Sequence, residues 1–425
     1  MKTAGIICEY NPIHFGHACH IEKTRAAMGD GSGIVCAMSG NYVQRGDFAV
    51  FGKQTRAEAA VRCGADLVVE IPTPYVLSSA EGFAASGVYI LDKLSICDHL
   101  SFGSESGDIE ALKEVAVAIV SEKADALTRE WLGKGLPYAS ALQKAADEAL
   151  GGRSEILRSP NNLLGVEYLK ALSKLKSSMQ PITVRRTEGA HGGETGYSAS
   201  AVRKEMLCRN RETWHNLTCG QSGEALLAQP FRSRLCRNRE TWQDLMPQAA
   251  ADVFAEEIAK GRGPVSMKSY EQAMLSRLRA LGDFSNIPGA SEGLDRRFSR
   301  YTASEPTISG ILESIKTKRY AMSRIRRMLI CACLGITAAD VHEPPPYIRV
   351  LAMNRMGMRL LKEAHGHAEL PIITKPASAG RILGRAAEIF KKESAATDFY
   401  VLSYQDENER RGGQEWRKTP VVIDK

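Results

Sequence analysis

Gly5-Ile6-Ile7-Cys8 leads directly into Glu9-Tyr10-Asn11-Pro12-Ile13-His14-Phe15-Gly16-His17. An uninterrupted apolar run that ends in a polar, proline-containing turn reads as a buried strand. The helix after it is expected over Phe15–Ala27. Working outward, the alternation repeats. Ile34–Met38 is a second strand, followed by a Gly/Asn turn and the helix-like KQTRAEAAVRCG (53–64). Asp66–Ile71 is a third strand, Ser78–Leu94 a third helix and His99–Phe102 a fourth strand. Short apolar strands separated by helices predict βαβ units, hence an α/β fold with a doubly wound parallel sheet covered on both faces. In such a sheet ligands bind beyond the carboxyl ends of the strands, where the strand order reverses. The turn after the first strand is therefore the first place to look for chemistry.

The chain has 425 residues, 56 Lys and Arg against 49 Asp and Glu, and a formal charge of +7. At roughly 150 residues per domain this length predicts two or three domains. The expected division is the doubly wound α/β domain over 1–206, a connector over 207–246 and a mainly helical, basic domain over 247–425. The longest nearly uncharged apolar stretch, Met328–Ala339, falls well short of the roughly 20 residues of a membrane span. The N-terminus lacks a long apolar run and a small-residue cleavage site, so a soluble cytoplasmic protein is expected. Ten cysteines are scattered without a CxxC pair, and they read as small buried hydrophobes rather than as zinc ligands or a disulfide framework.

Farther along, SPNNLLGVEYLKAL (159–172) reads as a helix and PITVRR (181–186) as a strand. A Gly-rich loop, Gly189–Gly196, precedes SASAVRKEML, whose serines suit a helix N-cap. Beyond Pro247 helices dominate, with short strands expected around Tyr347–Ala352 and Phe399–Ser403 and a loose polar stretch over Gln405–Lys418. Leu207–Trp214 and Leu235–Trp242 both read LCRNRETW. Two copies are too few for a solenoid, and a local duplication inserted between domains explains them.

Chemistry concentrates in the first turn. His14 and His17 stand three apart at a helix start, so both rings can face one ligand. Gly16 between them lets a phosphate approach the backbone, and the helix N-terminus favours an anion. An isolated HxxH pair is as readily two core histidines or a metal pair. Here the preceding strand and the internal glycine point to a nucleotide whose α-phosphate gains charge during in-line attack.

NPIHFGH resembles the (H/T)xGH signature of the nucleotidylyltransferase superfamily, which shares its fold with class I aminoacyl-tRNA synthetases. The closer resemblance is to bacterial tRNA(Met) cytidine acetate ligases. It is carried by GIICEYNPIHFGHACH (5–20), MSGNYVQRGDFAVFGKQTRAEAA (38–60), DLVVEIP (66–72), FGSESG (102–107), SPNNLLGVEYLKAL, SASAVR (198–203), SEGLDRRF (291–298), TKRYAMSRIRRML (317–329) and YIRVLAMN (347–354). The resemblance spans the chain except the duplication and the polar tail. It implies use of ATP and acetate to form N4-acetylcytidine at the wobble position of elongator tRNA(Met).

By that resemblance ATP is expected along Ile7, Cys8, Glu9, Tyr10, Asn11, Pro12, Ile13, His14, Phe15, Gly16, His17, Ala18, Cys19 and His20, and at Gly103. It implies a further contact from Asn161 or Asn162, with Asn162 favoured, and another from Arg185 or Arg186. Ser198, Ser200 and Arg203 occupy the place of the second superfamily signature and are expected at the β- and γ-phosphates. His14, His17 and Arg203 are the expected catalytic residues. No protein-bound metal is expected, and Mg2+ would accompany the triphosphate. Gln44 and Arg45 lie within reach of phosphate or substrate. Lys53 and Arg56 open a helix and read equally well as a solvated face. Phe15 departs from the family pattern, which has a smaller polar residue there, and the duplication begins close behind Arg203.

No acidic residue occurs between Glu313 and Asp340, a span that holds Lys316, Lys318, Arg319, Arg324, Arg326 and Arg327. A cationic amphipathic helix suits a phosphate backbone. Beside an ATP-using domain it predicts tRNA binding through Lys318, Arg319, Arg324, Arg326 and Arg327. The expected partners are tRNA and acetate, with neither DNA nor a membrane. Competing readings are an adenylyltransferase of a small phosphate-bearing metabolite and a noncatalytic tRNA-binding protein.

Overall fold

A computed structural model describes residues 1–136, 138–150, 153–186, 199–218, 241–377 and 383–424. Ser198, the Gly189–Gly196 loop and most of the second LCRNRETW copy lie outside the described residues. The strands are β1 (Thr3–Cys8), β2 (Gly33–Ser39), β3 (Tyr42–Val43), β4 (Asp47–Phe48), β5 (Leu67–Ile71), β6 (His99–Ser104), β7 (Gln180–Arg185), β8 (Ile348–Asn354), β9 (Ile372–Ile373) and β10 (Val421–Ile423). The main sheet runs β10-β8-β5-β2-β1-β6-β7, with β9 also on β8, while β3 and β4 form a separate hairpin. All main-sheet pairs are parallel except β5 with β8.

Both β1 and β2 are buried along their whole length, which is why they read as unbroken apolar runs. Side-chain alternation divides β2 between two cores. Val35 and Ala37 face one, with residues of the Ala80–Lys93 and Pro160–Leu175 helices. Ile34, Cys36 and Met38 face the other, with residues of the Phe15–Met28 and Lys53–Arg62 helices. Chain order reverses at β1, whose neighbours are β2 on one side and β6 on the other. The turn carrying His14 and His17 thus leaves the sheet at its topological switch point.

Gln248–Val341 is mainly helical, and its apolar core around Phe284, Phe298, Ile325 and Met328 is shared with Tyr42 and Phe48 of the β3–β4 hairpin and with Phe399 and Tyr400. The chain then returns to the sheet through β8, β9 and β10, so both ends of the sequence build it. Two expectations are corrected here. Phe399–Ser403 is not a strand: the Arg385–Tyr400 helix runs into a 3-10 turn at Val401–Ser403. Its buried Ile389, Glu393, Ala396 and Tyr400 recur at helical spacing. Nor is Gln405–Lys418 loose throughout, because Glu415 is completely buried.

Glu415 is buried because Lys53 is. The Lys53 Nζ lies 2.6 Å from Glu70, 2.9 Å from Glu393 and 2.7 Å from Glu415. Arg349 reaches Glu415 from the other side at 3.3 Å. Three carboxyls against two cations leave one negative charge too many. Burial, followed by the field of Glu393, raises the Glu70 carboxyl well above the ordinary range. Glu415 stays ionised despite its burial because Lys53 and Arg349 outweigh desolvation. The fully buried Arg56 donates to the carbonyls of Phe51, Ser39, Gly40 and Glu9. The solvated-face reading of Lys53 and Arg56 is therefore replaced by an internal clamp joining the ends of β1 and β2 to the last residues of the chain.

Candidate nucleotide site

His14 is the N-cap of the Phe15–Met28 helix, with extended backbone angles. Its Nδ1 accepts from the Gly16 N–H at 3.0 Å, and His17 Nδ1 accepts from the His14 N–H at 3.4 Å. A neutral imidazole that accepts at Nδ1 carries its proton on Nε2. Both rings therefore turn an Nε2–H donor away from the backbone. Their centroids are 3.9 Å apart, and Tyr10 packs edge-on against His17. A Cβ on Gly16 would lie 2.9 Å from His14 Cε1, so the glycine makes room for the capping ring as well as for a ligand.

Burial, with help from Arg186 and Arg203, lowers His14 to about 4. His17 is held well below the ordinary range by burial and then by His14 and Arg186. His20, whose Nε2 meets Ser101 Oγ at 3.0 Å, is lowered to about 4 by burial and Arg186. The pair thus acts as neutral hydrogen-bond donors rather than as cations. The positive charge comes from the two arginines.

Arg203 is positioned by donating to the Asn11 carbonyl at 2.7 Å and to Ser200 Oγ at 2.9 Å. Arg185 and Arg186, equivalent in sequence, separate in space. Arg186 lies over Gly103, whose Cβ position is 3.2 Å from Arg186 Cγ, and its charge reaches all three histidines. Arg185 packs over Gly107 instead. The Asn162 side chain accepts from the Glu105 and Ser106 N–H groups and donates to the Ile156 carbonyl, shaping the loop after β6. Asn161 Nδ2 donates to Glu105 at 2.6 Å. The Glu105 carboxylate also accepts the first N–H groups of the Pro160–Leu175 helix, a contact with no local sequence signal. Phe15 is 43% exposed at the mouth of the site.

Glu9 accepts the Gln44 N–H at 2.6 Å, bringing the β3–β4 hairpin against the site. The basic C-terminal helix, Met322–Leu334, arrives there too. Arg326 pairs with Asp47 at 3.3 Å, and Arg327 donates to the Gln44 carbonyl at 3.2 Å. Burial lowers Arg327 to about 10. Arg324 is bound to Glu292 at 2.8 Å. Lys318 and Arg319, in the turn before this helix, are exposed, as are Arg296 and Arg300. Of the five basic residues expected at RNA, Arg324, Arg326 and Arg327 have close protein partners, while Lys318 and Arg319 are exposed, Arg319 with a long ion pair to Glu292 at 3.9 Å.

Two outcomes test this geometry. Arg203→Ala is expected to raise the KM for a bound nucleoside triphosphate roughly tenfold or more, because a charge-assisted donor and the anchor of the Asn11 turn are lost together. An unchanged nucleotide KM would remove Arg203 from the site. The second outcome concerns pH. Unfolded imidazoles bind protons near 6.5, whereas folded His14 and His20 do so near 4. Between those values the unfolded state holds more protons. The stability these groups contribute is complete above about pH 6.5 and is lost as pH falls toward 4. His20→Gln should flatten the dependence of the urea midpoint on pH across that window. Identical slopes would mean that His20 titrates freely in the folded protein.

Comparison with known proteins gives a consistent picture. The family model for the HIGH nucleotidyl transferases matches residues 1–415. The tRNA(Met) cytidine acetate ligase of Acetivibrio thermocellus is 33% identical over 100% of both chains. That of Caldanaerobacter subterraneus subsp. tengcongensis is 34% identical over 96% of each. The crystal structure of Thermotoga maritima TmcAL bound with alpha-thio ATP superposes with a TM-score of 0.85, at 29% identity and full coverage of both chains. The chain belongs to the HIGH nucleotidyl transferase family and, within it, to the tRNA(Met) cytidine acetate ligases.

Proposed function

We infer that this chain is an ATP-dependent ligase that acetylates a cytidine of tRNA, through acetyl-adenylate, at N4 of the wobble position of elongator tRNA(Met). The observation that carries the first step is the pair of neutral imidazoles at the switch point, flanked by Arg186 and Arg203. An acetate oxygen attacks the α-phosphorus, the bond to the β-phosphate breaks and pyrophosphate leaves. The Nε2–H groups of His14 and His17 donate to the α-phosphate oxygens as charge accumulates there. Arg203 faces the departing phosphates. In the second step the cytidine N4 attacks the acetyl carbonyl, AMP leaves and one N4 proton is lost.

Among the described residues no three His, Cys, Asp or Glu side chains cluster closely enough to hold a resident metal. Mg2+ in this reading enters with ATP, liganded chiefly by phosphate oxygens and water. The exposed Lys318, Arg319, Arg296 and Arg300 form the surface proposed for the RNA backbone. An anticodon-loop cytidine is accessible without opening a duplex.

The test uses purified protein, ATP, labelled acetate and bulk tRNA. Acetate-dependent pyrophosphate exchange and label in N4-acetylcytidine after nuclease digestion are the expected results. Exchange that needs no carboxylate would instead favour adenylyl transfer to a small metabolite, and no exchange with any acid would end the enzymatic reading.

A further inference from the structure

We propose that Arg45 grips a tRNA backbone phosphate next to the cytidine being acetylated. The proposal rests on the tRNA-acetylating function above and adds a contact to it.

Arg45 is at the tip of the β3–β4 hairpin, and every residue around it is tied down. The Gln44 N–H is held by Glu9 at 2.6 Å and its carbonyl by Arg327 at 3.2 Å. The Gly46 N–H closes the turn on the Val43 carbonyl at 2.9 Å, and Asp47 pairs with Arg326 at 3.3 Å. Gly46 has φ +75°, and a Cβ there would lie 2.5 Å from the Arg327 backbone nitrogen. The hairpin is thus seated on the Met322–Leu334 helix with no space between them. Arg45 alone is exposed and, among the described residues, makes no hydrogen bond or ion pair. The neighbouring Arg56, Arg326 and Arg327 direct their guanidinium groups to protein atoms, and Arg203 is the residue proposed at the triphosphate.

An immobile turn presenting one free guanidinium is suited to an anion. The open fork of an arginine takes two oxygens of a phosphodiester at once. Position favours RNA as the source. The Arg45 charge acts on both Glu9 and Arg203, so the tip borders the nucleotide site. The hairpin's support is the same helix whose preceding turn carries Lys318 and Arg319. A base splayed from a loop into the ATP site must bring its own flanking phosphates past this rim. Arg186 and Arg203 are already placed for the triphosphate.

Arg45→Gln and Arg45→Lys, in the full chain with bulk tRNA, test the assignment. For Arg45→Gln the KM for tRNA is expected to rise about tenfold, and the plot of log affinity against log salt to flatten by up to roughly one unit. Pyrophosphate exchange with acetate and no tRNA keeps its wild-type rate. Arg45→Lys should restore most of the salt slope. A wild-type KM and slope in Arg45→Gln overturn the proposal. So does loss of the tRNA-free exchange, which would give the guanidinium to the triphosphate. Wild-type protein that labels no tRNA would sink the functional reading itself, an outcome seen before any variant is made.

Discussion

Acetate-dependent pyrophosphate exchange is expected to fall about 10²–10³-fold in His17→Ala, the typical consequence of removing one positioned donor to developing charge. Among the described residues the side chain has no hydrogen-bond role beyond accepting the long His14 N–H contact of 3.4 Å, so the loss should appear in the rate rather than in folding. His14 needs a more careful substitution because it also caps its helix. His14→Asn keeps an acceptor for the Gly16 N–H, as asparagine is a favoured N-cap, but it has no donor at the Nε2 position. A comparable loss of exchange with an unchanged thermal midpoint is the expected result. Near-wild-type exchange in both variants would mean that the imidazoles serve the fold and that Arg186 and Arg203 carry the phosphate chemistry. Because both rings are neutral, exchange between pH 6.5 and 8 should show no titration attributable to either.

The largest loss of stability is expected from Lys53→Met. Removing one partner of a buried ion pair typically costs about 3–5 kcal/mol, because the remaining charge stays buried without compensation. Here the methionine would face Glu70, Glu393 and Glu415 together, with Arg349 the remaining cation in the cluster. Since these carboxylates come from β5, the Arg385–Tyr400 helix and the Gln414–Arg417 turn, the C-terminal segments should loosen first. Hydrogen exchange at residues 385–423 would show it. Adding Glu393→Gln to Lys53→Met removes one stranded charge and should recover part of the lost denaturant midpoint. A single variant with the wild-type midpoint would show that the cluster contributes no net stability.

Much of the catalytic half was legible in the linear sequence. Buried parallel strands must be apolar along their whole length, so β1, β2 and β5 announced themselves. The turn after the first such strand leaves the sheet where the strand order reverses, which made His14, Gly16 and His17 the candidates for a ligand site. What failed to read was what depends on partners that only the folded chain brings together. A lysine and an arginine at a helix start look solvated until three glutamates and four backbone carbonyls surround them. Basic residues on an amphipathic helix look alike, yet Arg326 and Arg327 seat a hairpin while Lys318 and Arg319 remain in solvent.

By itself, then, the sequence determined where the doubly wound sheet begins and which turn holds the imidazole pair, because apolar periodicity and a glycine between two histidines are local properties. Only the tertiary structure separated residues that are adjacent in the chain. Arg186 rather than Arg185 lies beside the histidines, because one packs over Gly103 and the other over Gly107. The polar C-terminal stretch is internal rather than loose, because Glu415 answers the charge of Lys53. Packing, charge and hydrogen-bond satisfaction are settled between residues that the fold, not the local sequence, makes neighbours.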